Sequence, residues 1–76
     1  MSRKFYKDFI RELPPKTAAY LLADMALPQK LFNVLLAVDV QKLSVQEAAD
    51  QLHMTDRTLK RYRAKAYDII AKIVAQ

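Results

Sequence analysis

Residues 44–62 have the sequence SVQEAADQLHMTDRTLKRY, and this stretch decides the fold. Ser44, followed three residues later by Glu47, predicts a capping box, in which each side chain accepts a hydrogen bond from the other residue's backbone amide. Thr55 predicts a second helix start, because its hydroxyl can accept from an unpaired amide of the first turn. Only residues 53–55 remain for the turn between the two helices. Two helices joined by so short a turn form a helix-turn-helix.

The predicted helices span residues 45–52 and 56–74, and their apolar positions fit this motif. Small Ala48 and Ala49 allow the two helices to approach closely. The turn requires a residue with positive φ, and His53 is the candidate because His tolerates that region at a cost of about 1 kcal/mol. The positions expected to pack between the helices are Ala48, Ala49, Leu52, Met54, Leu59 and Tyr62.

Three further helices are predicted before this motif. Pro14 and Pro15 end a first helix over residues 3–13 and open a second over 16–26. The third runs from about Pro28 to Lys42, and its nearly all-round apolar surface predicts a central position. We therefore expect an all-α, five-helix bundle with a C-terminal helix-turn-helix and no wing. It forms one domain over residues 1–76, with N-terminal helices in 1–27 and the helix-turn-helix core in 28–76.

Composition excludes several classes of function. The chain has 76 residues, no Cys and one His, which leaves too few ligands for an ordinary structural zinc site. It has no Gly, which argues against phosphate-cradling loops and nucleophile elbows. No paired carboxylates with an apolar pocket and no nucleophile–base pair are recognisable. We therefore expect no enzymatic activity, no cofactor and no metal, and no apolar run is long enough for a membrane span. We expect a cytoplasmic location, because the charged N-terminus does not resemble a signal peptide.

Positive charge is concentrated on the last predicted helix. Residues 57–76 contain six basic residues and one acidic residue, so they carry +5 (6 − 1), which equals the net charge of the whole chain. Rotation by 100° per residue separates an apolar side, which includes Leu59, Tyr62 and Ile70, from a basic side. A helix placed between a core and the major groove of DNA requires this division.

These features predict binding to double-stranded DNA. Arg57, Lys60 and Arg61 lie early in the fifth helix and are the candidate base readers, because Arg and Lys pair with guanine acceptors. Thr55, Lys65 and Gln46 are candidates for holding the phosphate backbone. The complete predicted DNA-facing set is Gln46, Thr55, Asp56, Arg57, Lys60, Arg61, Ala64 and Lys65.

The stretch from Leu43 to Tyr62 resembles bacterial helix-turn-helix transcription regulators over roughly residues 28–70. The pattern "LS..EAA..L..T..TLKR" is similar to the region of sigma factors that reads the −35 promoter element, and Leu27-Pro28 and Lys65-Ala66 fit its flanks. Residues 55–61 look like the "S.RTLKR" recognition helix of Mga-type virulence regulators. The resemblance implies transcription regulation, either by a small stand-alone regulator of the kind found on phages and mobile elements or by one domain of a longer protein.

The same sequence features are consistent with two other functions. The first alternative is a protein-interaction module that docks its basic helix on an acidic partner such as RNA polymerase. The second is a phage DNA-packaging or replication accessory protein. A single module of this kind binds DNA modestly, so specific use requires a homodimer or a partner such as polymerase.

Four groups of side chains have two interpretations each. We expect Phe5, Tyr6 and Phe9 to pack in the core and not to form a partner surface. The cluster of Arg3, Lys4 and Lys7 forms either a solvated face or a second phosphate contact. Tyr67 lies either in the core or at the surface. The remaining group packs on the first helix or forms a dimer seam; it consists of Ile69, Ile70, Ile73 and Val74.

Overall fold

The computed structural model describes residues 3–75. They form five helices and contain no strand, so the all-α, five-helix prediction is confirmed. The helices are α1 (Arg3–Glu12), α2 (Pro15–Asp24), α3 (Gln29–Leu35, continued by a π-helical turn over Leu36–Val40), α4 (Val45–Gln51) and α5 (Asp56–Ala75). No helix in the described part of the chain is long and apolar enough to cross a membrane.

Local signals fix most helix ends. Pro14-Pro15 separates α1 from α2, and Pro28 immediately precedes α3. The ends of α2, α3 and α4 are each followed by a residue with positive φ: Ala26 at 52°, Lys42 at 62° and His53 at 57°. Glycine is the usual residue in this position because it has no Cβ to clash with the backbone. A chain without Gly therefore ends three helices at a steric cost.

The continuation of α3 differs from the expected regular helix. The amide of Gln41 donates to the carbonyl of Leu36 at 2.9 Å, which is the i to i+5 bond of a π-helix. Ala37, Val38, Asp39 and Val40 are all buried. Four consecutive buried residues cover the whole circumference of a helix, and this turn indeed contacts α1, α2 and α4. The predicted central position is confirmed, and the π-helical turn is new.

The buried side chains form two clusters that share α5. The first joins α1, α2, α3 and the C-terminal half of α5, and its largest fully buried members include Ile10, Leu22 and Tyr67. The second joins α3, α4 and the N-terminal half of α5 around Leu59. Tyr62 packs against both clusters. Two groups of contacts, which meet at Tyr62, therefore hold α5 along its length.

The prediction that Phe5 and Phe9 belong to the core is wrong. They are 50% and 49% exposed, whereas Ile10 on the same helix is 2% exposed. Helix α1 lies on the surface, so only one stripe of its side chains reaches the core, and Ile10 and half-buried Tyr6 occupy it. Of the apolar group near the C-terminus, Ile70 is buried on this core, while Ile73 and Val74 remain exposed.

Candidate nucleic-acid interface

The start of α4 is held by the predicted capping box. The amide of Ser44 donates to Glu47 Oε1 at 3.0 Å, and the amide of Glu47 donates to Ser44 Oγ at 3.1 Å. The hydrogen bonds from the Ser44 backbone and side chain lower the pKa of the Glu47 carboxyl below its ordinary value. The carboxylate form is therefore the one that completes the cap.

The turn after α4 has the predicted conformation. His53 takes the positive φ of 57°, and the amide of Met54 returns to the carbonyl of Ala49 at 3.0 Å. A hydrogen bond between residues five positions apart closes the end of a helix and reverses the chain. The direction in which the chain leaves α4 is therefore fixed by local geometry before α5 begins.

Thr55 caps α5, as the sequence predicts. Its Oγ1 accepts from the amide of Thr58 at 3.1 Å and lies 3.0 Å from the Thr58 hydroxyl oxygen. The Thr55 side chain is exposed but already used within the protein. A phosphate at this position would therefore bind the other backbone amides of the first turn, not the Thr55 oxygen.

The first part of α5 is anchored from behind. Leu59 is 0% exposed and packs with Ala48 and Ala49 of α4 and with Val34 of α3. Leu52, Met54 and Tyr62 close the edges of this cluster. Because methyl side chains occupy the contact face of α4, Leu59 fits between α3 and α4 without separating them. The opposite side of α5 is thereby directed outward.

The predicted DNA-facing residues lie on α5 and at its start, except Gln46, which lies on α4. All of them are exposed except Ala64, which is half-buried. Within residues 3–75, the four cations of this set take part in no salt bridge. Helix α5 therefore presents four exposed cations that take part in no salt bridge with residues 3–75, and we call this surface the basic face. It consists of Arg57, Lys60, Arg61 and Lys65.

One cation of α5 points inward instead. Arg63 donates from Nε to Asp39 Oδ2 at 3.0 Å and from Nη2 to Asp39 Oδ1. Asp39 is 0% exposed; it also accepts from Arg11 Nη1 at 2.9 Å and from the Tyr67 hydroxyl at 2.8 Å. This Asp39 cluster, formed by Asp39, Arg11, Arg63 and Tyr67, joins α1, the π-helical turn and α5.

The Asp39 cluster shifts the ionisation of its members. Burial opposes the charge on Arg63 and lowers its pKa, but the hydrogen bonds and the negative charge of Asp39 outweigh burial, so the net shift is upward. Burial, followed by the Asp39 charge and hydrogen bond, raises the pKa of Tyr67 well above its ordinary value. Arg63 thus stays charged and Tyr67 stays a hydrogen-bond donor throughout the physiological pH range.

Sequence reasoning missed this cluster and left the position of Tyr67 open. One signal was present: Asp39 is the only charged side chain in the apolar stretch LFNVLLAVDV, residues 31–40. Since charged residues are almost never fully buried unless paired, an Asp in a central helix predicts basic partners. The identity of those partners depends on the tertiary fold.

Comparison with known proteins adds no relative. No protein-family model, no curated protein and no solved structure matches this chain. Within the described residues, no group of three His, Asp or Glu side chains lies close enough to hold a metal ion.

Proposed function

We propose that this protein binds double-stranded DNA sequence-specifically through a helix-turn-helix formed by α4 and α5, and that it regulates transcription. The observation that carries the proposal is the basic face. Four exposed cations without an internal counter-ion lie opposite the side of α5 that Leu59 anchors in the core. Exposed charge without a partner in the protein is available for a partner outside it.

The proposed mechanism places α5 in the major groove. An α-helix with side chains is about 10–12 Å wide, and the major groove of B-DNA is about 12 Å wide. Arg57, Lys60 and Arg61 read base edges, because they lie in the first two turns of α5. Lys65, the exposed Gln46 and the amides near Thr55 contact the phosphate backbone.

The Asp39 cluster supports this mechanism indirectly. Because Arg63 is bound to Asp39, its charge does not belong to the basic face. The charge-assisted hydrogen bonds of the cluster also hold α5 against α1 and the π-helical turn. A recognition helix must hold its side chains to within about 0.5 Å and 10–20° of the productive geometry for bidentate contacts to bases. We infer that Asp39 is a positioning residue for the basic face.

Selection of bound sequences from a pool of random duplexes tests this function. Repeated rounds should enrich a short consensus, and a two-fold symmetric consensus would also indicate a homodimer. Enrichment without a consensus would limit the protein to non-specific binding, as expected of a DNA-packaging accessory. Failure to retain any duplex at low salt would contradict the proposal and favour an acidic protein partner such as RNA polymerase.

A further inference from the structure

A second basic surface lies beside the basic face. A cleft of about 310 Å³ separates the first two turns of α1 from the middle of α5. Ala64 and Tyr67 form its uncharged lining, and no acidic residue in the described part of the chain lines it. Its remaining lining consists of five cations, namely Arg3, Lys4, Lys7, Lys60 and Arg63.

Three of these cations have no counter-ion. Arg63 is bound to Asp39, and Arg3 lies 3.3 Å from the exposed carboxylate of Asp68, an ion pair of the weak surface type. The ammonium groups of Lys4, Lys7 and Lys60 form no hydrogen bond or salt bridge with any residue between 3 and 75. Like charges gathered in a cleft repel one another, and a bound anion relieves that repulsion.

The cleft is continuous with the basic face. Lys60 belongs to both, because it lines the cleft and also lies on the outer side of α5. With α5 centred in a major groove, the flanking strand lies about 6 Å to the side, which is half the groove width. Packed helix axes are about 8–10 Å apart, so α1, which packs beside α5, would lie close to that strand.

We propose that this cleft binds a backbone phosphate of the same duplex whose major groove α5 enters, with Lys4 and Lys7 contributed by α1. This inference rests on the proposed DNA-binding function. It gives the N-terminal helix a direct part in binding. This phosphate contact, which we call the clamp, lies at the edge of the groove and involves no base. It therefore adds the same affinity for every DNA sequence.

The test compares Lys7→Gln with Lys16→Gln, which removes the same charge from an exposed site at the start of α2. Binding of a random duplex is measured by fluorescence anisotropy at several salt concentrations. Loss of one phosphate contact should reduce the slope of log affinity against log salt by about 0.9, and Lys16→Gln should leave it unchanged. Lys4→Gln, at an exposed position, gives a second measurement if Lys7→Gln impairs folding.

Each outcome distinguishes this inference from the proposed function. Equal slopes for both cleft variants and Lys16→Gln, with wild-type binding intact, would overturn the cleft and leave the function standing. A wild-type protein that binds no duplex would overturn both. Amide NMR spectra are recorded with duplex and, as a second probe, with inorganic phosphate. Chemical-shift changes at Lys7 and Ala64 on addition of duplex support the proposed phosphate contact. Shifts there with phosphate alone, and none with a bound duplex, would assign the cleft to a free phosphate ligand and overturn the clamp.

Discussion

Arg63 and Asp39 form a two-point ion pair inside the protein, between the middle of the most basic helix and the π-helical turn of α3. The side chain of Asp39 is completely buried and that of Arg63 is 22% exposed. The pair divides the cations of α5 into one that holds the fold together and others that face solvent.

Asp39→Asn should destabilise the protein by about 3 kcal/mol or more, because it leaves Arg11 and Arg63 without their carboxylate in a partly buried site. Urea denaturation followed by circular dichroism measures the loss. Asp24→Asn is the matched control: Asp24 is exposed at the end of α2, and a surface change of this kind alters stability by less than about 0.5 kcal/mol. Equal stabilities of the two variants would show that the Asp39 cluster does not hold the fold.

Tyr67 should remain protonated above about pH 10, where a tyrosine in an unfolded chain ionises. Its pKa is raised in the folded state, so the stability linked to it is complete below the unfolded pKa and is lost as the pH rises further. Part of the tyrosinate absorbance should therefore appear together with the loss of helicity at alkaline pH. That part should be missing in Tyr67→Phe. Its persistence in the variant would mean that another tyrosine produces it.

The positive φ of Ala26 predicts opposite effects of the same substitution at neighbouring positions. Ala26→Gly should stabilise the protein by about 0.5–1 kcal/mol. Removal of the Cβ relieves the steric strain of the left-handed conformation, and this gain exceeds the free-energy cost of the extra conformational entropy that Gly gives the unfolded chain. Ala23→Gly, inside α2, should destabilise it by about 1 kcal/mol. Thermal unfolding of both variants measures the difference. A loss of stability in both would show that Ala26 is not strained.

Much of the fold is predictable from the sequence because its signals are local. The capping box of α4, the cap of α5 and the turn at His53 each depend on residues no more than five positions apart. The side of α5 that faces solvent also follows from helical periodicity, with Leu59 and Tyr62 as the anchors. The reading of DNA bases by that side stays a prediction.

The Asp39 cluster was not predictable in the same way. Its hydrogen bonds join residues 24 to 28 positions apart, which no helical period connects. The exposure of Phe5 and Phe9 also depends on the tertiary fold. Helical periodicity predicts which side of a helix is apolar, but it does not predict how much of that side the neighbouring helices cover.

Arg57→Ala should reduce affinity for the selected DNA sequence by roughly 1–3 kcal/mol and relax the preference at one base position. Lys72→Ala removes the same charge from an exposed site near the end of α5, and it should weaken all sequences alike and by less. Competition between selected and random duplexes separates the two effects. If both variants lose affinity equally on both duplexes, Arg57 does not read bases.

Binding to DNA itself is tested most directly by titrating the wild-type protein into a labelled random duplex over a range of salt concentrations. About five phosphate contacts predict binding at low salt and a slope of log affinity against log salt near −4 to −5. An unchanged anisotropy at low salt, or an affinity that does not depend on salt, would contradict the assignment of the basic face to DNA.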